Sequence, residues 1–310
     1  MAHQNLTIGW IGVGRMGFQL ATRLLDAGYD VAVYNRTRAK AEPLAEKGAT
    51  IVDSPAELAD RDLVFSMVSA PKDLEQVMLG EGGLLTADVA PRIIADSSTV
   101  SVEASEKIRA VADSRGTAFL ATPVSGNPAV IAAGKLTVAV SGPRETYDEV
   151  AEVLQHFGRG VTYVGEGEVA RIVKIAHNVF LGVVIQSMAE ITVLAEKAGV
   201  TREAFLSFLN DSVMGSVFTQ YKTPALVNLD FTPTFTNVLL QKDFDLGLAA
   251  AKEMGVVMPV ASVTRNLVAQ EVGTGNVEQD FASLILTVAA GSGLQLESEN
   301  ADVSDGLEAS

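Results

Sequence analysis

The sequence predicts an α/β domain built on a doubly wound, mostly parallel sheet, followed by an all-α domain, the two joined by one long helix. Three observations carry this expectation. Short β-prone runs alternate with helical stretches from residue 6 to about residue 165, the pattern of βαβ units. A glycine-rich turn follows the first strand and opens the first helix. Beyond it, residues 168–197 lack proline and carry apolar side chains all round, as a helix buried on most sides does, and only helical patterns follow.

The elements follow in chain order. Residues 6–11 are apolar and β-prone, and 16–27 have helical spacing closed by Gly28. Residues 30–34 form a second strand. Residues 38–47 read as a helix ended by Gly48, and 50–52 as a short strand. Ser54-Pro55-Ala56-Glu57 reads as a capped helix start. Further strands are expected at 63–68, 92–95, 116–121, 136–141 and 161–164, with Pro71 and Ser101 opening helices between them. After the long helix come helices near 201–210, 214–229, 235–254, 259–272 and 278–291. The expected domains are thus 1–165, 166–293 and an acidic tail, 294–310. The tail carries Glu297, Glu299, Asp302, Asp305 and Glu308 without Lys or Arg, which predicts a solvated, disordered segment.

Composition excludes several classes. The chain has 310 residues, 48% hydrophobic and 20% charged, which fits about two globular domains and not a collagen, coiled coil or disordered chain. With no cysteine there are no disulfides, thiolate metal sites, Fe–S clusters or Cys nucleophile. The three histidines, His3, His156 and His177, are spread along the chain, so no metal site is expected. A net charge of −15 argues against nucleic-acid and anionic-membrane partners. The first residues hold neither a basic cluster nor a long apolar run. No segment offers the ~18 consecutive apolar residues of a membrane span. A cytoplasmic protein is the expectation.

The chemistry starts at Gly12-Val13-Gly14-Arg15-Met16-Gly17. Glycines here allow a tight turn, close approach of the backbone to a pyrophosphate, and a helix whose first N–H groups face that anion. In a βαβ context this predicts a Rossmann-type dinucleotide site. At the end of the second strand, Asn35-Arg36-Thr37 stands where an NAD site usually places an acid. Arg36 can instead pair with a 2′-phosphate, so NADP(H) is expected as cofactor. Val68 and Ser69, and Thr99, end later strands and should line the same cleft. Pro123-Val124-Ser125-Gly126-Asn127-Pro128 is a turn whose hydroxyl and N–H groups would suit a carboxylate. On the long helix Arg171, Lys174 and Asn178 form a polar stripe among apolar neighbours. A lysine there either snorkels outward or faces a polar cleft, where it can serve as a general acid/base. His177 reads as a packed helix residue, and Lys242-Asp243 as an ordinary pair on an amphipathic helix.

Taken together these stretches resemble the β-hydroxyacid dehydrogenase family, over about residues 6–293. The first turn resembles its GxGxMG loop. Pro123-Val124-Ser125-Gly126, with Gly134 and Leu136, resembles its PVSGG…GxL substrate motif. Lys174 stands at the catalytic lysine and Lys242-Asp243 at the C-terminal KD pair, whose lysine lies near the nicotinamide. The resemblance implies an NADP(H)-dependent oxidoreductase of a small β-hydroxyacid or aldehyde acid. Lys174 and Asn178 would be catalytic. Ser125, Gly126, Asn127 and His177 would bind substrate. Gly12, Val13, Gly14, Arg15, Met16, Asn35, Arg36, Thr37, Val68, Ser69, Thr99 and Lys242 would hold the cofactor. It also implies homodimers or homotetramers through the helical domain. Departures are Asn127 for the second Gly of SGG, Ala170 for a Gly, and His177 for an Asn. Lys174-Ile175-Ala176-His177-Asn178 is similar to the Lys-x-x-His-Asn of 6-phosphogluconate dehydrogenase, but Leu181 replaces the Glu that enzyme uses. Imine reductases share the Asn-Arg-Thr but usually lack the lysine. An imine-reducing enzyme and a non-catalytic dinucleotide-binding module are the alternatives.

Overall fold

The structure, a computed structural model, describes residues 6–307. His3 and Glu308 lie outside the described residues. The chain divides into two compact units, Met1–Lys174 and Ile175–Ser310.

The first unit holds strands β1 (Thr7–Ile11), β2 (Asp30–Tyr34), β3 (Thr50–Ile51), β4 (Leu63–Ser66), β5 (Ile93–Asp96), β6 (Ala118–Ala121), β7 (Val124–Ser125), β8 (Thr137–Ser141) and β9 (Gly160–Gly165). Its helices are α1 (Arg15–Asp26), α2 (Glu42–Ala45), α3 (Pro71–Leu79), α4 (Val102–Ser114), α5 (Pro128–Ala132) and α6 (Arg144–Gln155). One sheet runs β3-β2-β1-β4-β5-β6-β8-β7, with β9 beside β8. From β3 to β6 every pairing is parallel; β8 is antiparallel to β6 and β7. Chain order reverses between β1 and β4, the switch point at which doubly wound sheets bind ligands.

Alternation of side chains across the pleat builds two cores. Ile8 and Trp10, Val31 and Val33, and Leu63 and Phe65 face one side, covered by Leu20 and Leu24 of α1 and Val150, Val153 and Leu154 of α6. Ile11, Ala32, Val64 and Ile94 face the other, covered by Leu74 and Met78 of α3 and Ile108 of α4. Because both faces are covered, the central strands read as continuous apolar runs. The helix expected over 38–47 is instead a 3₁₀ turn, Arg38–Lys40, and the short α2. Pro43 has no N–H to give and fits only an opening turn, so the helix restarts just before it. The helix start expected at Ser54 is a single 3₁₀ turn. Ser54 Oγ donates to Glu57 Oε1 (2.9 Å) instead of capping the backbone.

The second unit contains most of α7 (Val169–Lys197), then α8 (Arg202–Asp211), α9 (Val217–Asn228), α10 (Asn237–Met254), α11 (Pro259–Gly273) and α12 (Leu284–Gly291). By length and composition α7 could cross a membrane, but half of its most apolar window is buried in the protein. Val179, Ile185, Met188, Ala189 and Val193 of α7 join Leu240 and Phe244 of α10 in the helical core. Glycines let α7 and α10 approach. A Cβ on Gly182 would lie 2.4 Å from the Phe244 ring, and one on Gly247 would lie 2.5 Å from Val179 Cγ2. The helix expected over 278–291 opens as a 3₁₀ turn capped by Asp280, which accepts the Ala282 N–H (3.0 Å) and the ammonium of buried Lys222 (2.6 Å). Burial pushes the Lys222 amine down. Burial alone would raise Asp280, but the Lys222 charge holds it below the usual carboxylate range.

The tail differs from its expectation. Residues 294–307 lie along the helical unit, with Leu294, Leu296, Ala301 and Val303 packed against its core. Glu299 accepts the backbone N–H groups of Arg202 (2.7 Å) and Glu203 (2.9 Å) at the start of α8. Asn228 exchanges two hydrogen bonds with Ala301, both 2.9 Å. Buried Arg202 donates to the Val227 carbonyl (2.8 Å) and to that of Glu297. The segment carries acids and no Lys or Arg, so composition suggested water. The few apolar side chains nevertheless find the core, and one acid finds a helix N-terminus.

Candidate active site and cofactor cradle

The glycine-rich turn sits at the carboxyl end of β1. Gly12 has φ +98, and a Cβ there would lie 2.3 Å from the Met67 carbonyl oxygen; one on Gly17 would lie 2.1 Å from that of Gly12. These two glycines are required by the fold. Gly14 is different: its φ is −77, and a Cβ would meet nothing within 4 Å. It is the N-cap of α1 and supplies no side-chain cap. Open space beside Gly14 leaves room for an anion at the N-terminus of α1, as an anion cradle requires. Arg15 is exposed and Met16 packs against the core beneath.

Asn35 steadies this turn. Its Oδ1 accepts the Val13 N–H (2.8 Å) and its Nδ2 donates to the Thr37 carbonyl (2.8 Å). Its carboxamide is thus a clamp between β2's end and the glycine turn. Thr37 caps the following 3₁₀ turn by position. Arg36 is 84% exposed at its side chain and pairs with Asp73 at 3.2 Å.

Beyond β4 and β5 the chain is tied by buried hydroxyls. The Val68 N–H donates to Ser98 Oγ (2.9 Å), and both Ser66 Oγ (2.6 Å) and Ser98 Oγ (2.7 Å) donate to Asp96 Oδ1. Ser69 and Thr99 follow these ends as expected. Of the residues that hold them, Ser98 belongs to the Ser97-Ser98-Thr99 strand end expected to line the cleft, while Ser66 and Asp96 were not singled out from the sequence; an Asp-Ser-Ser run closing an apolar strand was the available signal.

Ser125 ends β7, and Gly126 has φ +148, where a Cβ would meet Val130 and Leu136. Asn127 is buried and caps α5, its Oδ1 accepting the Val130 N–H (2.9 Å). The departure from SGG therefore has a local cause: the side chain closes a helix.

The polar stripe on α7 is buried at both ends and half-buried at Lys174. Arg171 is 1% exposed, Lys174 half-buried and Asn178 buried. Asn178 Nδ2 donates to Asp243 Oδ2 (2.5 Å), and its Oδ1 lies 3.0 Å from His177 Nδ1. His177 is exposed and not packed as its spacing suggested. Asp243, on α10, is buried, and its Oδ1 lies 3.6 Å from Lys242 Nζ. The KD pair thus contributes its acid to fixing Asn178. An open depression of about 460 Å³ beside Lys242 is lined by Val238, Gln241, Asp245 and Leu246.

A parallel sheet with a glycine-rich turn at its switch point, followed by a long helix carrying a lysine and a fixed asparagine, defines a nicotinamide dinucleotide-binding oxidoreductase. Two family models match: the NAD-binding domain of 6-phosphogluconate dehydrogenase over residues 7–165, and the NAD-binding domain of NADP-dependent 3-hydroxyisobutyrate dehydrogenase over 165–288. The chain belongs to the β-hydroxyacid dehydrogenase family. It is 33% identical to the uncharacterized oxidoreductase YfjR of Bacillus subtilis, covering 90% of this chain and 99% of that one. It is 29% identical to glyoxylate/succinic semialdehyde reductase 1 of Arabidopsis thaliana, covering 91% and 98%. Among solved structures, 3-hydroxyisobutyrate dehydrogenase from Salmonella typhimurium superimposes with a TM-score of 0.82 at 25% identity, covering 91% of this chain and all of that one. The family models meet at residue 165, whereas the compact units divide after Lys174. The first turn of α7 belongs with the sheet because Ala170 and Arg171 are bonded to it. The residues present fit a dinucleotide: the open side of Gly14 and the uncapped α1 provide the space and the donors for its pyrophosphate.

Proposed function

We propose that the protein is an NADPH-linked reductase of a small aldehyde acid, acting in reverse as a dehydrogenase of the matching β-hydroxyacid. The observation that carries this reading is the layout of α7. A half-buried lysine stands one helical turn before an asparagine whose carboxamide is fixed by a buried carboxylate. The names of the relatives, semialdehyde reductase and 3-hydroxyisobutyrate dehydrogenase, support the substrate class.

The nicotinamide, when bound, supplies the hydride in reduction and accepts it in oxidation. Lys174 Nζ gives a proton to the carbonyl oxygen as the new C–H bond forms, and recovers one from water. In oxidation the neutral amine takes the hydroxyl proton. Asn178 orients the lysine or the reacting oxygen. Ser125 and the N–H groups of Gly126 and Asn127 hold the substrate carboxylate, with His177 at its edge. Arg36 pairs with the 2′-phosphate, since Asn35 stands where an acid would repel it. A second copy of this chain covers the exposed apolar side of α7, where Phe180 is 68% and Leu194 70% exposed.

The test is NADPH oxidation with methylmalonate, succinic and tartronate semialdehydes, and one cyclic imine. Turnover of an aldehyde acid is expected, and Lys174→Ala should lower kcat by about 10²–10⁴-fold with cofactor affinity retained. A mutant that keeps its kcat, or turnover of the imine alone, refutes the reading. Arg36→Ala should weaken NADPH far more than NADH; equal losses contradict the cofactor preference. Sedimentation as a clean monomer removes the second copy.

A further inference from the structure

We propose that Arg171 is a positioning residue for Lys174: its buried guanidinium locks the first turn of α7 to the carboxyl end of β5 and so sets where the lysine amine stands. This rests on reading Lys174 as the acid/base and adds the group that places it.

A fully buried arginine is rare and costly unless every donor is matched. Here each of the three guanidinium nitrogens has a partner. Nη2 donates to Asp96 Oδ2 (2.6 Å), Nη1 to the carbonyls of Ser98 (2.7 Å) and Asp96 (3.2 Å), and Nε to Ser105 Oγ of α4 (3.1 Å). Asp96 Oδ1 holds Ser66 and Ser98, and Ser98 Oγ holds the Val68 N–H. One guanidinium therefore gathers the ends of β4 and β5 and the flank of α4.

Other bonds hold the start of α7 without orienting it. The Ala170 N–H donates to Ser141 Oγ (3.0 Å), and Arg109 Nε to Glu168 Oε1 (2.6 Å). Glu168 also lies 3.6 Å from Arg171 Nε. Arg171 reaches laterally from the helix to the end of β5 with a planar fork, which fixes rotation about the helix axis as a point charge cannot. Residues three apart are neighbours on a helix surface. A slip of Arg171 is therefore a slip of Lys174. Packing alone would be served as well by an apolar side chain of similar volume.

Two variants test this. Arg171→Lys keeps the charge and loses the fork; Arg171→Met with Asp96→Asn removes both charges and strands neither. Both should lose about 10–100-fold in kcat, the scale of a small misplacement of a catalytic group, with substrate KM within about 3-fold. NADPH Kd, read by fluorescence without substrate, should shift by much less than kcat does, while amide exchange over residues 169–175 accelerates. Placed on Lys174→Ala, Arg171→Lys should cost no further kcat, because it acts through a group already gone. Unchanged kcat in both variants, an additive loss on Lys174→Ala, or a loss that follows NADPH affinity overturns the proposal. So does failure of both variants to fold. Full activity of Lys174→Ala itself is a separate result: it removes the acid/base reading, whereas faster exchange in the Arg171 variants still reports the clamp.

Discussion

Three glycines within one turn serve two purposes, and substitution separates them. Gly12 and Gly17 have backbone carbonyl oxygen within 2.3 Å of any added Cβ, whereas Gly14 faces open space. Gly14→Ala should leave the melting temperature within about 2 °C, since it adds less than about 1 kcal/mol of strain, yet cut NADPH affinity severalfold by filling the cradle. Gly12→Ala should lower the melting temperature itself, as a positive φ and a backbone clash are both imposed. Thermal denaturation and a fluorescence titration of the two proteins decide this. Residues of this kind were legible in the sequence because their constraint is local: strand, turn and helix adjoin. Arg171 was legible only as a member of a stripe. Its partner Asp96 is 75 residues away in the chain, and spacing carries no information about which strand end a helix will meet.

Elements were readable where they bury a face and hard to read where a single bond decides. The parallel strands show as apolar runs, while the two-residue β7 has too few positions for a period. Ser54 has the right residues for a helix cap but spends its hydroxyl on Glu57. A comparable single group links β1 to β4. Asp62 accepts the Thr7 N–H (2.9 Å) and hydroxyl (2.8 Å), and the two hold its carboxyl below the usual carboxylate range. An acid with a depressed folded pKa stabilises above its unfolded value, near 3.9, and the benefit is lost as pH falls through the folded value. The melting temperature of Asp62→Asn should therefore sit below that of the parent by a constant gap above about pH 5, and the gap should close below about pH 4. A gap that persists in acid would assign the loss to packing.

Across the molecule, each unit has its own apolar core, and the second is finished by the segment that composition had assigned to water. Thr201 caps α8 by accepting the Ala204 N–H, Glu299 takes the N–H groups of Arg202 and Glu203 beside it, and losing a cap of this kind costs about 1 kcal/mol. Glu299→Ala should lower the unfolding temperature of the helical unit by a few degrees. Removing residues 294–310 should lower it further, because Leu294, Leu296 and Val303 leave the core with it. Calorimetry with and without NADPH separates the units, since the cofactor raises the transition of the unit that binds it by about 2.7 kcal/mol at a hundredfold excess over Kd. If the truncated chain melts as the full one does, the tail is no part of the core.

The tail also fixes an order of events during synthesis. Every strand of the sheet lies before residue 166, so the dinucleotide unit can close while the rest of the chain is still being made. Helix α8 waits for a carboxylate translated 97 residues after it. Until then the N–H groups of Arg202 and Glu203 lack that carboxylate and the apolar floor beneath the tail is bare, so the half-made helical unit exposes surface that the finished chain covers.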